Sequence, residues 1–446
     1  MDKITGEFLL DVNSNHFVHL GGIHNMRLDS NSLFKSNKHF RLFWSGQTIS
    51  MFGSQITVIG LPLTAVYLLG ANPFQMGLFQ AMATIPFFIF SLFAGVWIDQ
   101  NQKKPLLILS NLLTAFFLLL IPLFAWLGML NFFMFYFIVF LSATFSMVFE
   151  LAYLSFLPVI VKREDLSDGN SKLEISRSIA QVSGPSVAGV LISVLTAPIA
   201  ILIDSISYIV STIFIWRIKA EEPKPIKEFD SSIFKKIGEG MGLLVKHPIL
   251  RSISASTAIL NFFRTAFDAV YIFFIIKVLG INPTQIGIIF GVGSIGGILG
   301  AFFSRRISEK FGIGPSIIGS VAMVTVGSII VPFANEQIII AMTLLILGQI
   351  ITGFGNTVYF VSQVSLRQSI TPMEILGRVN ASNRFISRGA MPLGGIFGGL
   401  LGTFIELRLA LLILAIGYIL AILWLSISPV RKIQTIEDAD GYRVQA

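Results

Sequence analysis

The sequence predicts an all-α integral membrane protein whose twelve transmembrane helices form two parallel six-helix repeats. Composition is the first reason: of 446 residues, 54% are hydrophobic and 13% charged, with a mean hydropathy of +0.79, whereas soluble domains carry about 25% charged residues. An internal duplication is the second. Arg41 recurs as Arg251, Gly70 as Gly280, Asn72 and Pro73 as Asn282 and Pro283, Gln75 as Gln285, Gly77 as Gly287, Pro105 as Pro315 and Pro122 as Pro332, always at an interval of 210 residues. The same offset carries Leu166, Asn170, Gly184, Gly189 and Tyr208 onto Leu376, Asn380, Gly394, Gly399 and Tyr418. Most of these are Gly, Pro, Asn or Arg, which fix backbone path and membrane-edge position. The halves therefore share a backbone plan rather than a core composition.

Each bilayer crossing needs about 20 apolar residues as a helix. Twelve such stretches are present, at 43–70, 74–98, 105–128, 131–157, 173–195 and 197–216 in the first repeat and 252–279, 284–304, 315–334, 337–361, 380–402 and 407–428 in the second. An even number per repeat returns the chain to its starting side, so the repeats are parallel, a build common among secondary transporters. Lys and Arg flanking spans stay cytoplasmic. With the N-terminus inside, all of the 32 basic residues except Arg264, Lys277 and Arg408 fall in the tails, the even-to-odd loops or the adjoining helix ends. Both termini are expected to be cytoplasmic. The expected organisation is a disordered extension at 1–37, six-helix bundles at 38–217 and 251–429 joined by a linker at 218–250, and a cytoplasmic tail at 430–446.

The net charge of +8 is read as topology signal and attraction to anionic lipid rather than as a nucleic-acid surface. The absence of cysteine excludes disulfides and thiolate metal sites. His16, His19 and His24 lie in the N-terminal extension with no acidic partners and no strong ligand spacing, so no metal and no cofactor is expected. No cleavable leader is apparent, and Met26 is an alternative start. The linker opens polar with Glu221, Glu222, Pro223, Lys224 and Pro225. It then reads as an amphipathic helix, with Ile233, Phe234, Ile237, Met241, Leu244 and Val245 on one side and Lys235, Lys236, Glu239 and Lys246 mostly on the other.

Small residues crowd the eighth span (Gly287, Gly291, Gly293, Gly296, Gly297, Gly300) and the eleventh (Gly389, Gly394, Gly395, Gly398, Gly399, Gly402). Small residues let helix backbones approach closely in lipid. Either static packing or a surface on which the halves rock explains them. The hairpin after the second span contains Gly95, Asp99, Gln100, Gln102, Lys103, Lys104 and Pro105. It resembles the G-x-x-x-D-R-x-G-R-R signature of the major facilitator superfamily, with Gln100 in place of Arg and Gln102 in place of Gly. The fifth span carries Gly184-Pro185 and Gly189, similar to the G-P-x-x-G/A-G element of antiporters in that superfamily. With Leu157-Pro158, Leu166, Asn170, the Asp204-Ser205-x-Ser207-Tyr208 run and the His247-Pro248 entry to the seventh span, the chain over about 38–430 resembles the exporter branch that includes macrolide-efflux proteins and enterobactin exporters. The resemblance implies a multi-pass protein of a bacterial cytoplasmic membrane. It also implies a conformational gate at Gly95, Asp99, Lys103, Lys104, Gly184, Pro185 and Gly189, in which Asp99 lies against a helix start of the other half.

Ionisable residues within spans cost roughly 2.5–3.5 kcal/mol each near the bilayer centre, so they need a reason. Arg264 and Asp268 sit one helical turn apart in the seventh span. They are either a self-neutralised structural pair or a substrate or proton site, and the corresponding stretch of the first span carries no charge. The resemblance makes spans one, four, seven and ten the cavity-lining set. Glu150, near the inner end of span four, either reaches the headgroups or serves coupling and gate closure. Asp204 is read as a structural hydrogen-bonding group. Gln55 of span one, Asn261 of span seven, and Asn356 and Tyr359 of span ten are candidates for polar cavity contacts, as are Gln47, Ser54, Gln349 and Gln363. The expected function is export of amphiphilic or drug-like small molecules by alternating access in exchange for protons, by a monomer embedded in lipid. A siderophore exporter or lysophospholipid transporter is the alternative on the same fold. A membrane enzyme or sensor is more remote: no HExxH motif is present and no Gly-Lys dipeptide exists for a P-loop.

Overall fold

The helix starts are written in the sequence as caps. Asn37 Oδ1 accepts the Phe40 N–H at 2.9 Å to open the first span, and Asn131 Oδ1 accepts the Met134 N–H at 3.0 Å to open the fourth. The element shared by both repeats is more complete. Gly70 and Gly280 take positive φ (67° and 65°), which only glycine adopts without strain. Asn72 and Gln75 then cap one another reciprocally at 2.9 Å each, as do Asn282 and Gln285 at 3.0 and 2.9 Å. Pro73 and Pro283 start the helices where an N–H has no partner to lose. The duplicated residues are thus one turn, built twice.

The computed structural model describes residues 32–220, 222, 233–435 and 437–442. His16, His19 and His24 and the rest of the expected extension before residue 32 lie outside them. Spans one to six are Lys38–Leu63, Pro73–Asp99, Lys103–Trp126, Phe132–Ile160, Leu166–Leu195 and Ala197–Trp216. Spans seven to eleven are Pro248–Lys277, Pro283–Phe311, Ile313–Ile330, Ile338–Ile370 and Met373–Phe404; the twelfth is Leu407–Gly417 and Ile419–Ile427, broken at Tyr418. Among the described residues eleven helices are long and apolar enough to cross a membrane. The remaining expected span is Met373–Phe404, whose first half carries Arg378, Arg384 and Arg388. Several helices outrun their apolar stretches. The fifth begins at Leu166 and the tenth runs on to Ile370, because backbone hydrogen bonds continue where side chains have already become polar. Span one continues past Leu63 in a wider π-helical turn, Thr64–Leu68.

Among the described residues three apolar cores hold the bundle. One, at the end carrying Lys38, Lys103 and Arg431 (the basic face), joins Phe40, Phe43, Leu107 and Phe156 of the first repeat. A separate one at the same end joins Ile253, Ile317, Leu366 and Leu425 of the second. At the opposite, far face a single core runs through both repeats, from Ile59, Ile138 and Ile201 to Ile275, Ile289 and Leu414. The halves are therefore welded at the far face and apart at the basic face.

Beyond residue 222 the described chain resumes in the helix Ile233–Lys246, which packs on span eleven: Gly240 meets the Arg378 backbone and Glu239 pairs with Arg378 at 2.8 Å. The side chains of Ile233, Phe234, Lys235, Lys236 and Ile237, and residues Glu221 and Pro223–Pro225, lie outside the described set. Of the expected apolar side, Leu244 is buried but Val245 is exposed beside Lys246, because the surface to be covered is one helix rather than a flat bilayer edge. The C-terminal segment docks too. Ile313 and Gly314 donate backbone N–H groups to Gln434 and Ile433 carbonyls at 3.0 and 2.8 Å, and the Gln434 and Thr435 N–H groups hold the Asp438 carboxyl below the usual carboxylate range.

Candidate functional site

Two helix pairs join the halves, span two with span eleven and span five with span eight, with span two also touching span seven. The repeat makes the pairs equivalent. Gly77 packs on Gly399, and its symmetry mate Gly287 packs on Gly189; a Cβ on Gly77 would lie 2.8 Å from the Gly399 Cα, and one on Gly287 3.0 Å from the Gly189 Cα. Both contacts are at the far face. The glycines of spans eight and eleven divide by helix face. Gly287 and Gly291 meet span five of the other half, while Gly293, Gly296 and Gly300 pack on Gln349, Ile350 and Phe354 of span ten. Gly395, Gly399 and Gly402 meet span two, while Gly394 and Gly398 pack on Phe262 and Ala266 of span seven. Static packing and an interface between halves are both present, one on each side of the same helix.

Toward the basic face the span two–span eleven seam ends in side chains. Phe88 stacks on Phe385 with centroids 5.0 Å apart, and the Arg388 guanidinium lies 3.9 Å over the Phe87 ring. The same Arg388 pairs with Glu150 of span four at 3.4 Å. Glu150 therefore meets a cation of the other half rather than the headgroups. Arg388, counted in the sequence as a topology charge, is a residue that sequence reasoning missed. Beyond this point the halves part, and a Cβ on Gly95 would meet nothing within 4 Å.

Spans one and seven do not pack closely on one another, nor do spans four and ten, which leaves a space between the halves that opens at the basic face. Arg264 and Asp268 are there, their Nε and Oδ2 3.9 Å apart and their side chains 59% and 47% exposed. Their symmetry mates are Ser54 and Val58, the latter 64% exposed. Similarly Glu150 corresponds to Phe360, 63% exposed. The symmetric positions face the opening, and only one of each pair is charged. The polar candidates are mostly elsewhere. Tyr359 is buried at 5% exposure, its hydroxyl bonded to Thr257 and Ser256 at 2.8 and 3.1 Å, so it ties span ten to span seven instead of lining the opening. Asn261 donates to the Ser387 carbonyl of span eleven at 2.9 Å, and Gln55 packs against Gly184 of span five. Asn356 is half-buried. Gln363 is buried and accepts from Arg367 at 2.8 Å, whose Nε donates to Asn380 at 2.9 Å. Hydrogen bonding between helices accounts for most intramembrane polar groups here.

The described backbone and ammonium contacts of Lys103 and Lys104 lie within the first half. Glu222, just past span six, accepts the Lys103 and Lys104 N–H groups at 2.5 and 2.6 Å, placing a carboxylate on the positive end of span three. The Lys103 ammonium donates to the Ile98 and Asn101 carbonyls at 2.6 and 2.8 Å, and that of Lys104 to the Ile218 carbonyl at 2.6 Å. Asp99 ends span two, but its side chain is outside the described set. In the sequence Glu222 is only one of the polar residues that open the linker. Glu222→Ala is expected to cost about 0.5–2 kcal/mol, the usual loss for a helix cap, seen as a lower melting temperature of the purified protein; an unchanged melting temperature removes the cap from the account. Pro185 and Gly189 lie on the span five–span eight seam. A separate cleft of about 1140 Å³, lined by Tyr67, Leu119, Trp126, Thr196 and Pro283 among others, opens at the far ends of spans one, three, five, six and eight and includes none of the predicted site residues.

Comparison with known proteins places this architecture. The MFS-type transporter YfiS of Bacillus subtilis is 23% identical over 85% of this chain and 91% of its own length. Macrolide efflux protein A of Streptococcus pyogenes is 22% identical over 81% and 88%, and multidrug efflux pump Tap of Mycolicibacterium fortuitum 21% over 82% and 91%. Among solved structures, a bacterial homologue of the iron transporter ferroportin in an inward-facing state superposes with a TM-score of 0.67 at 17% identity, covering 89% of this chain and all of that one. A bacterial homologue of the human lysosomal transporter Spinster, inward-facing and occupied, gives 0.68 at 12%, covering 90% and 97%. The fold is thus that of solute transporters. The model of the family described as transmembrane secretion effector matches residues 33–444, and the chain belongs to that family, a branch of the major facilitator superfamily of transporters.

Proposed function

We propose that this chain is a secondary active exporter that moves amphiphilic or drug-like small molecules out across a bacterial cytoplasmic membrane by alternating access, in exchange for protons. The bodies that move are 38–217 and 251–429, linked by 218–250, within a monomer surrounded by lipid. The clustering of Lys and Arg at the basic face supports a cytoplasmic location for that face and both termini. The opening between the halves then faces the cytosol. The observation that carries the reading is the Arg264–Asp268 pair, half-exposed in that opening at a position where the other repeat has Ser54 and Val58. An intramembrane pair present in only one of two otherwise equivalent helices is not required by the fold. The names of macrolide efflux protein A and multidrug efflux pump Tap support the substrate class, as does a chain with 41 phenylalanines. Proton entry releases about 2.3 kcal/mol per 100 mV of membrane potential, enough to drive roughly a 50-fold gradient of a neutral solute at that voltage.

Inside-out vesicles containing the protein test this with ethidium and a macrolide, against a siderophore and a lysophospholipid. Uptake of the dye and the macrolide is expected, and an uncoupler is expected to abolish it. Uptake indifferent to the uncoupler sinks the proton coupling. Movement of only the siderophore or only the lysolipid replaces the substrate class.

A further inference from the structure

The two repeats cross the same pair of helices in opposite ways. In the second, Gly417 of span twelve receives the Phe263 ring of span seven. Leu414, Ala415 and Ala421 around it are fully buried, as is Val321 of span nine. In the first, Gly53 of span one, the mate of Phe263, makes the space, and span six fills it with Asp204 and Ser207, the mates of Leu414 and Gly417; a Cβ on Gly53 would lie 2.5 Å from Asp204 Oδ1 and 2.7 Å from Ser207 Cβ. The second-repeat version shows that span twelve packs here with Leu414 and Gly417, without a carboxyl. Asp204 is nonetheless fully buried.

Its surroundings are hydroxyls. Ser207 donates to Oδ1 at 3.0 Å and Thr57 of span one donates to Oδ2. Tyr208, paired with Ser54 at 3.1 Å, is a titratable neighbour within electrostatic reach of Asp204. No charged side chain of spans one, three or six reaches Asp204 among the described residues. On span three, Asn111 donates to Ser211 at 3.1 Å, about two helical turns along span six from Asp204, and its Oδ1 and the Thr114 hydroxyl are buried without a protein partner, groups that a bound water would satisfy. Thr57 and Ser54 are half-buried and share a face of span one with exposed Val58, so hydroxyls flank the carboxyl on the side of span one that reaches the opening.

We propose that Asp204, with Thr57 and Ser207, is a proton-binding site inside the first half, linked to the central opening through the hydroxyls of span one. An ionised carboxylate sealed among neutral hydroxyls has no cation to offset its desolvation, and Gly53 presses too closely for the oxygen shell a metal cation needs. The two halves then divide the work. The second presents Arg264 and Asp268 to cargo, and the first carries the proton. This deepens the proton-exchange reading and rests on it for the transport role.

Infrared spectra of the purified protein test the site without any substrate. At neutral pH the carbonyl stretch of a protonated, dry carboxyl is expected; Asp204→Asn should remove it, Asp268→Asn should leave it, and Thr57→Val should shift its frequency without removing it. Absence of the band in the wild type, its survival in Asp204→Asn, or its indifference to Thr57→Val overturns the site, as does a band that appears only on removing sodium. In inside-out vesicles, gradient-driven ethidium uptake should fall at least tenfold in Asp204→Asn while ethidium exchange across the membrane persists; unchanged gradient-driven uptake overturns the transport role. If the wild type itself ignores the gradient, the exchange reading fails while the infrared band still decides the site.

Discussion

Gly287→Ala is expected to open the far face. The added methyl would meet the Pro185 carbonyl and lie 3.0 Å from the Gly189 Cα, so span five must retreat from span eight wherever the halves are closed there. Overpacking of this kind costs about 1–3 kcal/mol, which disfavours the far-closed state about 5- to 150-fold relative to one in which the two helices have separated. Gly77→Ala, at the symmetric contact with Gly399, should act in the same direction. Because the chain has no cysteine, spin labels can be placed without background at exposed far-face positions such as Trp126 and Phe333. Double electron–electron resonance should show a longer-distance population growing in both variants. Gly293→Ala supplies the contrast, since its methyl would press on Gln349 within the same half. That variant should melt earlier and leave the distances alone. Identical distance distributions for Gly287→Ala and wild type would remove the glycine seam from the conformational cycle.

What the sequence disclosed and what it concealed have the same cause. The 210-residue register exposes the Gly70–Gly77 turn because each residue it repeats there has a backbone duty: positive φ, a cap, a helix start, a close approach. Such duties tolerate few substitutes and survive duplication. The faces of the spans are a different matter. In a soluble helix the polar side points outward and periodicity reveals the buried face, but lipid is as apolar as a protein core. A helix such as Ile338–Ile370 is therefore apolar on more than one side over most of its length, and nothing in its pattern says that Tyr359 is buried against Ser256 and Thr257 while Phe360 is exposed. The same ambiguity hides the partner of Glu150. Arg388 stands 238 positions away and looks like one more basic residue of the cytoplasmic end. Comparing the repeats recovers some of the lost information, since a charge at one member of a symmetric pair and none at the other marks a position the backbone plan did not demand.

That comparison also yields the most demanding test of the Arg264–Asp268 pair. Removing one partner confounds two effects, because the other is then left uncompensated within the membrane at a cost of roughly 2.5–3.5 kcal/mol near its centre. Arg264→Ser combined with Asp268→Val avoids this by installing the residues that the first span already carries at the same positions, Ser54 and Val58. A helix face of that composition is known to suit this fold. The double variant is expected to insert and to melt at or above the wild-type temperature, since the ion pair is held open at 3.9 Å and half-exposed, a geometry that contributes about 1 kcal/mol or less. Its drug uptake in inside-out vesicles is expected to fall by at least two orders of magnitude. Asp268→Asn alone should lose transport as well, with some loss of stability from the unpaired guanidinium. The opposite pattern, full transport in the double variant with transport lost only in the single ones, would mean that the charges serve each other and not the cargo. A structural pair predicts that restoring neutrality restores activity, whereas a binding pair predicts that it does not, and the duplicated first half supplies the neutral side chains with which to tell them apart.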